Sequence, residues 1–143
     1  MKTGIKVCDA MNRVPISLES SASIRECAKL MADKRLSSIV IVEKRKSIGL
    51  VTEKNIVLYA VALDFDLDKT PVKDIIRSNL IVVAPERDIY GALELMRDNN
   101  INHLPVVDNK KMVGFITSKD ILRLAPHLFD YYSEMIPIKR RLW

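Results

Sequence analysis

The sequence contains few of the residues on which metal sites, disulfide scaffolds and membrane spans depend. Its 143 residues include two cysteines and two histidines, and no Cys-x-x-Cys spacing occurs. These are too few soft ligands for a structural zinc site, so we expect Cys8 and Cys27 to be free thiols in a reducing compartment. The sequence has no apolar run of eighteen residues, and its first residues lack the apolar stretch of a signal peptide. These absences predict a cytoplasmic protein.

Catalytic motifs are also absent from the sequence. No serine or cysteine is accompanied by a histidine and an acid in the pattern of a nucleophile system, and no glycine-rich phosphate loop occurs. The segment from Asp64 to Asp68 resembles the start of a calcium loop, but Lys69 replaces the glycine of that loop and Ile75 replaces its glutamate. We therefore expect a protein that is not an enzyme and that holds neither a metal nor a cofactor.

The sequence is rich in apolar residues and in positive charge. Hydrophobic residues make up 48% of the chain and charged residues 29%, which is enough for an ordered core. The formal net charge of +5 favours anionic partners without choosing among them. A surface kept soluble by lysines explains the same charge, so the charge alone does not assign a function.

The chain consists of two similar halves. When the sequence is compared with itself at an offset of sixty-five residues, fourteen of the fifty-four pairs from 7/72 to 60/125 are identical, without a gap. Unrelated sequences of ordinary composition would share roughly three or four identities over this length. Most of the other pairs place an apolar residue opposite an apolar residue. The similarity indicates a duplication.

Each half predicts the same order of elements, β-α-β-β-α. Ser23 and Asp88 are good N-caps, and each precedes apolar residues at helical spacing. Pro105 lies within a predicted strand, which indicates a position at a strand start or a sheet edge. The predicted strands are 16–18, 39–42 and 48–52 in the first half and 81–83, 104–107 and 112–117 in the second, with closing helices from 53 to about 63 and from 118 to about 124.

We therefore predict an α/β fold of the α+β type, built from a tandem pair of βαββα repeats related by a pseudo-twofold axis. The repeats span residues 7–63 and 72–125, with an acidic linker over 64–71 and a C-terminal tail over 126–143. One such unit has little core of its own, so two copies are expected to pack together. Their equivalent loops would then face each other across a cleft, and ligands favour such shared crevices.

Two segments resemble the motif of cystathionine-β-synthase-type (CBS) domains. They are Gly49-Leu50-Val51-Thr52-Glu53-Lys54-Asn55 and Gly114-Phe115-Ile116-Thr117-Ser118-Lys119-Asp120. Both have the glycine, the two apolar residues and the threonine of the family, and the second also has its acid. The stretch 101–108 matches the second strand of the family closely, 36–43 matches it more loosely, and 9–13 resembles its opening segment. The chain thus resembles a CBS domain pair, or Bateman module, over about residues 7–125.

This resemblance implies a sensor rather than an enzyme. Members of the family bind adenosine-containing ligands between the repeats, usually AMP, ADP or ATP and sometimes S-adenosylmethionine or a dinucleotide. They often pair through their helices into homodimeric discs. We therefore expect a homodimer that binds an adenine nucleotide and regulates a protein partner in trans.

The resemblance also implies three groups of ligand-binding residues. The ribose is expected at Thr117 and Asp120 and at Thr52 and Asn55, the adenine at Val14, Leu36, Leu80 and Ile101, and the phosphate at His103, Arg13, Lys119 and Lys54. A glycine allows close backbone approach to a ligand, and each threonine would end a strand with its hydroxyl free. Ordinary helix capping is the alternative for the threonines and their partners. Asn55 departs from the acid of the family, so its site is the less typical of the two.

The tail beyond Ala125 lies outside the repeats. Pro126 can open a helix, and Leu128, Phe129, Tyr132 and Met135 are spaced like an apolar stripe. We expect this tail to pack on its own module. The basic stretch from Lys139 to Trp143 leaves a nucleic-acid-binding protein as the alternative function, because cations give salt-sensitive phosphate contacts.

Overall fold

The computed structural model describes residues 1–76 and 80–134, and it divides the chain into two compact units. The first unit comprises residues 15–80, and the second unit comprises residues 1–14 together with the chain from residue 81 onward. Each unit has its own hydrophobic core and a small sheet flanked by helices, so the predicted mixture of α and β structure is confirmed. Within the described ranges, no helix is long and apolar enough to cross a membrane.

The elements follow the predicted order in both repeats, except that no strand forms over the predicted range 81–83. The helices are α1 (Val7–Ala10), α2 (Ile24–Lys34), α3 (Glu53–Ile56), α4 (Ile89–Asn99), α5 (Ser118–Leu124) and α6 (Phe129–Ser133). The strands are β1 (Ser17–Glu19), β2 (Ser38–Glu43), β3 (Lys46–Thr52), β4 (His103–Asp108) and β5 (Lys111–Thr117). Short 3₁₀ turns occupy Val72–Ile75 and Pro126–Leu128.

The two long helices begin and end in equivalent ways. The Ser23 side chain accepts a hydrogen bond from the Glu26 amide, and the Glu26 side chain accepts one from the Ser23 amide, which together form a capping box. The Asp88 side chain accepts from the Tyr90 amide at the start of α4. The left-handed residues Arg35 and Asn100, each with φ 53°, follow the two helices. Both predicted N-caps are confirmed.

The sheets differ at one strand, and Pro105 explains the difference. In the first unit β1 pairs with β2 in parallel, and the Val40 amide donates to the Ile16 carbonyl at 3.3 Å. Pro105 is the counterpart of Val40 and has no N–H to donate to Ile81. The strand predicted at 81–83 is therefore wrong in extent: its only strand-like contact among the described residues is a single bridge between Val83 and Val106. The predicted edge position of Pro105 is confirmed.

The opening segments of the two repeats are exchanged between the units. The Val7 amide donates to the Arg87 carbonyl at 2.8 Å, and the equivalent Val72 amide donates to the Ala22 carbonyl at 2.7 Å. Both valines are fully buried, Val7 in the core of the second unit and Val72 in that of the first. The compact units therefore do not coincide with the sequence repeats.

Asp88 anchors the N-terminus to the second unit. Its carboxylate accepts hydrogen bonds from the Thr3 amide, the Thr3 hydroxyl and the Gly4 amide, each at 2.9 Å, in addition to the bond from Tyr90. Burial alone would raise the pKa of Asp88, but these hydrogen bonds outweigh burial and lower that pKa. The carboxylate thus holds residues 3–4 against the start of α4 in its ionised form.

The closing helices differ in regularity, and a tail helix follows the second one. Helix α3 continues as a π turn over Val57–Val61, whereas α5 runs regularly to Leu124. After α5, Leu128 is buried, but Phe129 is 59% exposed, so Phe129 does not belong to the buried stripe that its spacing predicted. The predicted stripe residue Met135 and the basic stretch from Lys139 to Trp143 lie outside the described residues.

Candidate functional site

The predicted ribose-binding pair of the second repeat lies where β5 meets α5. The Thr117 hydroxyl accepts from the Asp120 amide at 3.2 Å and donates to Asp120 Oδ2 at 2.9 Å. The Thr117 amide donates to the same carboxylate oxygen at 2.9 Å. Both side chains are partly buried, and together they form the capping box of α5.

The first repeat builds the same box from a threonine and an amide. The Asn55 amide N–H donates to Thr52 Oγ1 at 3.1 Å, and the Thr52 amide donates to Asn55 Oδ1 at 3.0 Å. Asparagine can close this box because only one side-chain acceptor oxygen is needed. The departure from the acid of the family therefore leaves the capping geometry intact.

Each cap uses the threonine oxygen as an acceptor, and the Thr117 hydroxyl also donates to Asp120, whereas the Thr52 O–H donates to no residue in the described ranges. The ribose contacts expected at both threonines stay predictions. Further groups for a ligand belong to the last residue of each box, Asp120 in the second unit and Asn55 in the first. In Asp120 both bonds end on Oδ2, and Oδ1 accepts no hydrogen bond from any residue in the described ranges. In Asn55 the side-chain oxygen is used, which leaves the amide NH₂ group. The second unit thus offers a charged acceptor where the first unit offers a neutral donor.

His103 lies beside the Thr117 junction. It is the register partner of Thr117 across β4 and β5, and its ring stacks on Phe115 with the ring centroids 5.9 Å apart. His103 Nδ1 lies 2.9 Å from Asn102 Oδ1. Burial lowers the pKa of His103, so the imidazole is neutral at pH 7. Burial thus disfavours the cationic form of His103, and the phosphate contact expected there stays a prediction.

The segment after α1 borders the same junction. The Asn12 amide donates to the Phe115 carbonyl at 2.8 Å, and the Phe115 amide donates back to the Asn12 carbonyl at 2.9 Å. A Cβ atom on Gly114 would lie 2.9 Å from the Asn12 carbonyl oxygen, closer than side chains tolerate. The absence of a side chain at Gly114 therefore makes room for the opening segment of the chain itself. We had expected it to make room for a ligand.

The remaining candidate residues of the second unit differ in how exposed they are. Val14 is 83% exposed, and Ile101 is partly buried against the core. Arg13 is exposed and donates from Nη2 to the Cys8 carbonyl at 3.0 Å, and Lys119 is exposed at the start of α5. The structure thus brings His103, Thr117 and Asp120 together in one unit, with the turn that carries Arg13 and Val14 held beside them through Asn12.

The candidates of the first unit are less closely associated. Lys54 is exposed in the first turn of α3, and Leu80 is 36% exposed. Leu36 lines a groove between α2 and α3 together with Met31 and Ile56. The adenine contacts predicted for Leu36 and Leu80 stay predictions.

Sequence reasoning missed two residues that shape the second-unit junction. Phe115 supports the His103 ring, and Asn102 bonds the same imidazole, yet neither was singled out. Phe115 occupies an apolar position of the repeated motif, and only its aromatic ring distinguishes it from its counterpart Leu50. In the hairpin register Phe115 lies opposite Pro105, two positions from Thr117, so its contact with His103 is a diagonal one across β4 and β5.

Comparisons with known proteins agree with the repeated architecture. The model of the CBS domain family matches residues 7–62 and again 72–127. The uncharacterized protein MJ0450 of Methanocaldococcus jannaschii is 31% identical over 85% of this chain and 67% of its own length. A second protein of that organism, MJ1232, is 34% identical over 87% of this chain. The chain spans 41% of the length of MJ1232.

A solved structure shows the same likeness at the level of the fold. It is the CBS domain pair of protein MJ0100 in complex with 5′-methylthioadenosine and S-adenosyl-L-methionine, which is 30% identical to this chain. The two superpose with a TM-score of 0.74 over 85% of this chain and 99% of the other. Because the family model matches most of the chain in two copies, the chain belongs to the CBS domain family, as a tandem pair.

Proposed function

We propose that the chain is a non-enzymatic regulatory module of the cytoplasm that binds an adenosine-containing ligand, AMP, ADP or ATP, and acts on a protein partner in trans. The proposal rests on Oδ1 of Asp120, the carboxylate oxygen that accepts no hydrogen bond from any described residue. It belongs to a carboxylate that Thr117 already orients, and it lies in the same unit as His103. A preoriented carboxylate oxygen is a suitable acceptor for ribose hydroxyls, because hydrogen bonds to charged groups are the stronger ones.

The ligand class is supported by a relative. The CBS domain pair of MJ0100 was solved with two adenosine-containing compounds, and the ribose is common to them and to the adenine nucleotides. The charge of this chain favours the anionic members of that class, since its formal net charge is +5. Lys119 and Arg13 are exposed in the unit that contains Asp120. S-Adenosylmethionine, whose sulfonium is cationic, gains less from such surroundings.

Homodimer formation needs a new argument. The resemblance implies pairing through helices, but the apolar helical residues Ile24, Ile89, Leu93 and Ile121 are fully buried in the cores of their own units. The exposed apolar residues lie elsewhere, among them Val57, Val61 and Leu63 at 54–57% exposure. We retain the homodimer as a proposal, and sedimentation that shows a monomer at high protein concentration, with and without ligand, would refute it.

The ligand proposal is tested by thermal unfolding of the full chain with AMP, ADP, ATP, NAD or S-adenosylmethionine. A ligand present at one hundred times its dissociation constant should stabilise the folded state by about 2.7 kcal/mol. Asp120→Ala should reduce the shift, and Asp33→Ala, which removes an exposed acid on α2, should leave it unchanged. The absence of a shift with every compound would refute the proposal. A response to oligonucleotides alone that disappears with added salt would favour the nucleic-acid alternative.

A further inference from the structure

A group of hydrogen bonds at Asp88 holds the opening segment of the chain against the second unit. The Asp88 carboxylate accepts from the Thr3 amide, the Thr3 hydroxyl and the Gly4 amide, each at 2.9 Å. We call these three residues the clasp. Backbone hydrogen bonds continue the attachment as far as Val7, whose amide donates to the Arg87 carbonyl at 2.8 Å. The clasp therefore fixes the path by which the chain enters α1.

The other end of this segment carries two of the expected ligand contacts. Asn12 exchanges two backbone hydrogen bonds with Phe115 on β5, at 2.8 and 2.9 Å. The Asn12 side chain also accepts from the Val14 amide at 3.0 Å. Arg13 Nη2 donates to the Cys8 carbonyl of α1 at 3.0 Å. We call the segment from the clasp to Val14 the strap, and its far end holds Arg13 and Val14 beside the candidate site.

Helix α1 connects the two ends of the strap. It is four residues long, and it contacts α4, α5 and β5, all of which belong to the second unit. Its first residue, Val7, is fully buried in the core of that unit. A helix of this length is not stable by itself, so its position depends on the attachments at its two ends. A change at the clasp should therefore be felt at α5, the helix that Thr117 and Asp120 cap.

The cap of α4 does not require the whole Asp88 carboxylate. The cap uses Oδ1, which accepts from the Tyr90 amide at 2.8 Å. In the first repeat Ser23 occupies the equivalent position and caps α2 with a single hydroxyl oxygen. The second oxygen of Asp88, Oδ2, accepts from the Thr3 and Gly4 amides instead. Capping therefore explains one oxygen of Asp88, and the clasp explains the other.

We propose that Asp88 is a positioning residue for the ligand site, because the clasp keeps the strap, and with it Arg13 and Val14, in place before a ligand binds. A turn that is already ordered costs less on binding than one that the ligand must order. Coupling between two sites is reciprocal, so a ligand that contacts this turn also favours the closed clasp. The inference rests on the proposed ligand site and adds its regulation, since any event that opens the clasp lowers the affinity for the ligand.

The test uses Asp88→Ser in the full chain, because a serine can still cap α4 but has no second oxygen for the clasp. In calorimetric titration with AMP, ADP and ATP, this variant should bind the nucleotide at least about fivefold more weakly at the tighter site. Thr3→Val removes one clasp bond without altering α4, and it should weaken binding in the same direction. Ser23→Ala, which removes the helix cap of the first unit, is the matched control and should leave the affinity of the tighter site unchanged.

Amide hydrogen exchange provides a readout that does not depend on a ligand. In the free protein, Asp88→Ser should speed exchange at the Asn12 and Phe115 amides, at the far end of the strap. With nucleotide, exchange at the Thr3 and Gly4 amides should slow in the wild type.

Unchanged exchange at Asn12 and Phe115 in free Asp88→Ser would overturn the inference whatever the ligand is. Equal nucleotide affinity in the wild type and Asp88→Ser would overturn it while leaving the proposed function intact. Weakening in Asp88→Ser that Thr3→Val does not share would assign the effect to α4 and also refute the clasp. A wild type that binds none of the three nucleotides would refute the proposed function, and the coupling with it.

Discussion

Val7 and Val72 occupy equivalent positions in the two repeats, and each is fully buried in the core of the unit that contains the other repeat's helices and sheet. The hydrogen bonds around them repeat the same exchange, since Ile89 donates to the Ile5 carbonyl and Ile24 to the Thr70 carbonyl. Each repeat therefore supplies part of the core that its neighbour needs. The duplication is more than a doubling of a self-sufficient domain, because neither repeat contains its complete core.

The exchange predicts reciprocal effects of two substitutions. Val7→Ala and Val72→Ala should each lower the free energy of unfolding by about 2 kcal/mol, because each removes buried methyl groups and leaves a cavity. Val7→Ala should increase the rate of amide hydrogen exchange in β4 and β5, and Val72→Ala should increase it in β2 and β3. Val14→Ala, at an 83% exposed position, should change stability by less than about 0.5 kcal/mol. Increased exchange in the same strands for both variants would contradict the exchanged arrangement.

The tail helix provides a second prediction about stability. Tyr131 contacts Arg97 and Tyr90, whereas the nearby Phe129 is 59% exposed. Tyr131→Ala should lower the free energy of unfolding by about 1–3 kcal/mol through lost aromatic packing. Phe129→Ala should have an effect below about 0.5 kcal/mol. Urea unfolding would measure both, and similar losses for the two variants would show that α6 does not pack through Tyr131.

His103 predicts how stability depends on pH. Its pKa is lowered by burial in the folded protein, so the unfolded chain binds the proton more readily. Stability should therefore decrease as the pH falls from above 6.5 through the range in which the unfolded histidine is protonated. His103→Gln should flatten this part of the profile, while His127→Gln, at the exposed second histidine, should preserve it. Parallel profiles for the wild type and His103→Gln between pH 5 and pH 7 would refute this assignment.

Local features of the fold were predictable from the sequence, and the long-range ones were not. The caps at Ser23 and Asp88 depend on residues within three positions of each helix start, and the strand periodicity is equally local. Pro105 was predicted at an edge because the missing N–H is a property of the residue itself. Its effect on residues 81–83 required the parallel register, which only the folded sheet defines.

The exchange of opening segments could not be predicted from composition or periodicity. An apolar residue such as Val7 would be equally buried in either core, and the difference lies in the path of the chain after Val14. The same limitation applies to the candidate site. The spacing from Thr117 to Asp120 allowed both capping and ligand binding, and the structure shows that the cap uses one carboxylate oxygen and leaves the other. The sequence could not distinguish these atoms.

The strongest functional prediction follows from the different last residues of the two capping boxes, Asp120 and Asn55. Asp120→Asn and Asn55→Asp exchange these residues while each retains an oxygen that can close the box, so both variants should remain folded. A hydrogen bond to a charged group contributes about 1.5–3 kcal/mol, and a neutral one about 0.5–1.5 kcal/mol. If the ribose contacts Asp120 Oδ1, the site that contains Asp120 should be the tighter of the two. Asp120→Asn should then weaken binding at this site by roughly tenfold, which corresponds to about 1.4 kcal/mol. Asn55→Asp should tighten the other site by a similar factor.

Calorimetric titration of the wild type and the two variants with the nucleotide that gives the largest thermal shift would measure these changes. The double variant Asp120→Asn/Asn55→Asp provides the matched control, because it should restore two unequal sites with their order reversed. If the charged oxygen recognises the ribose, the tighter site should be the one that contains the aspartate in each protein. If the tighter site stays unchanged in Asp120→Asn, the carboxylate serves only as the cap of α5, and the ribose acceptor must be sought among other residues.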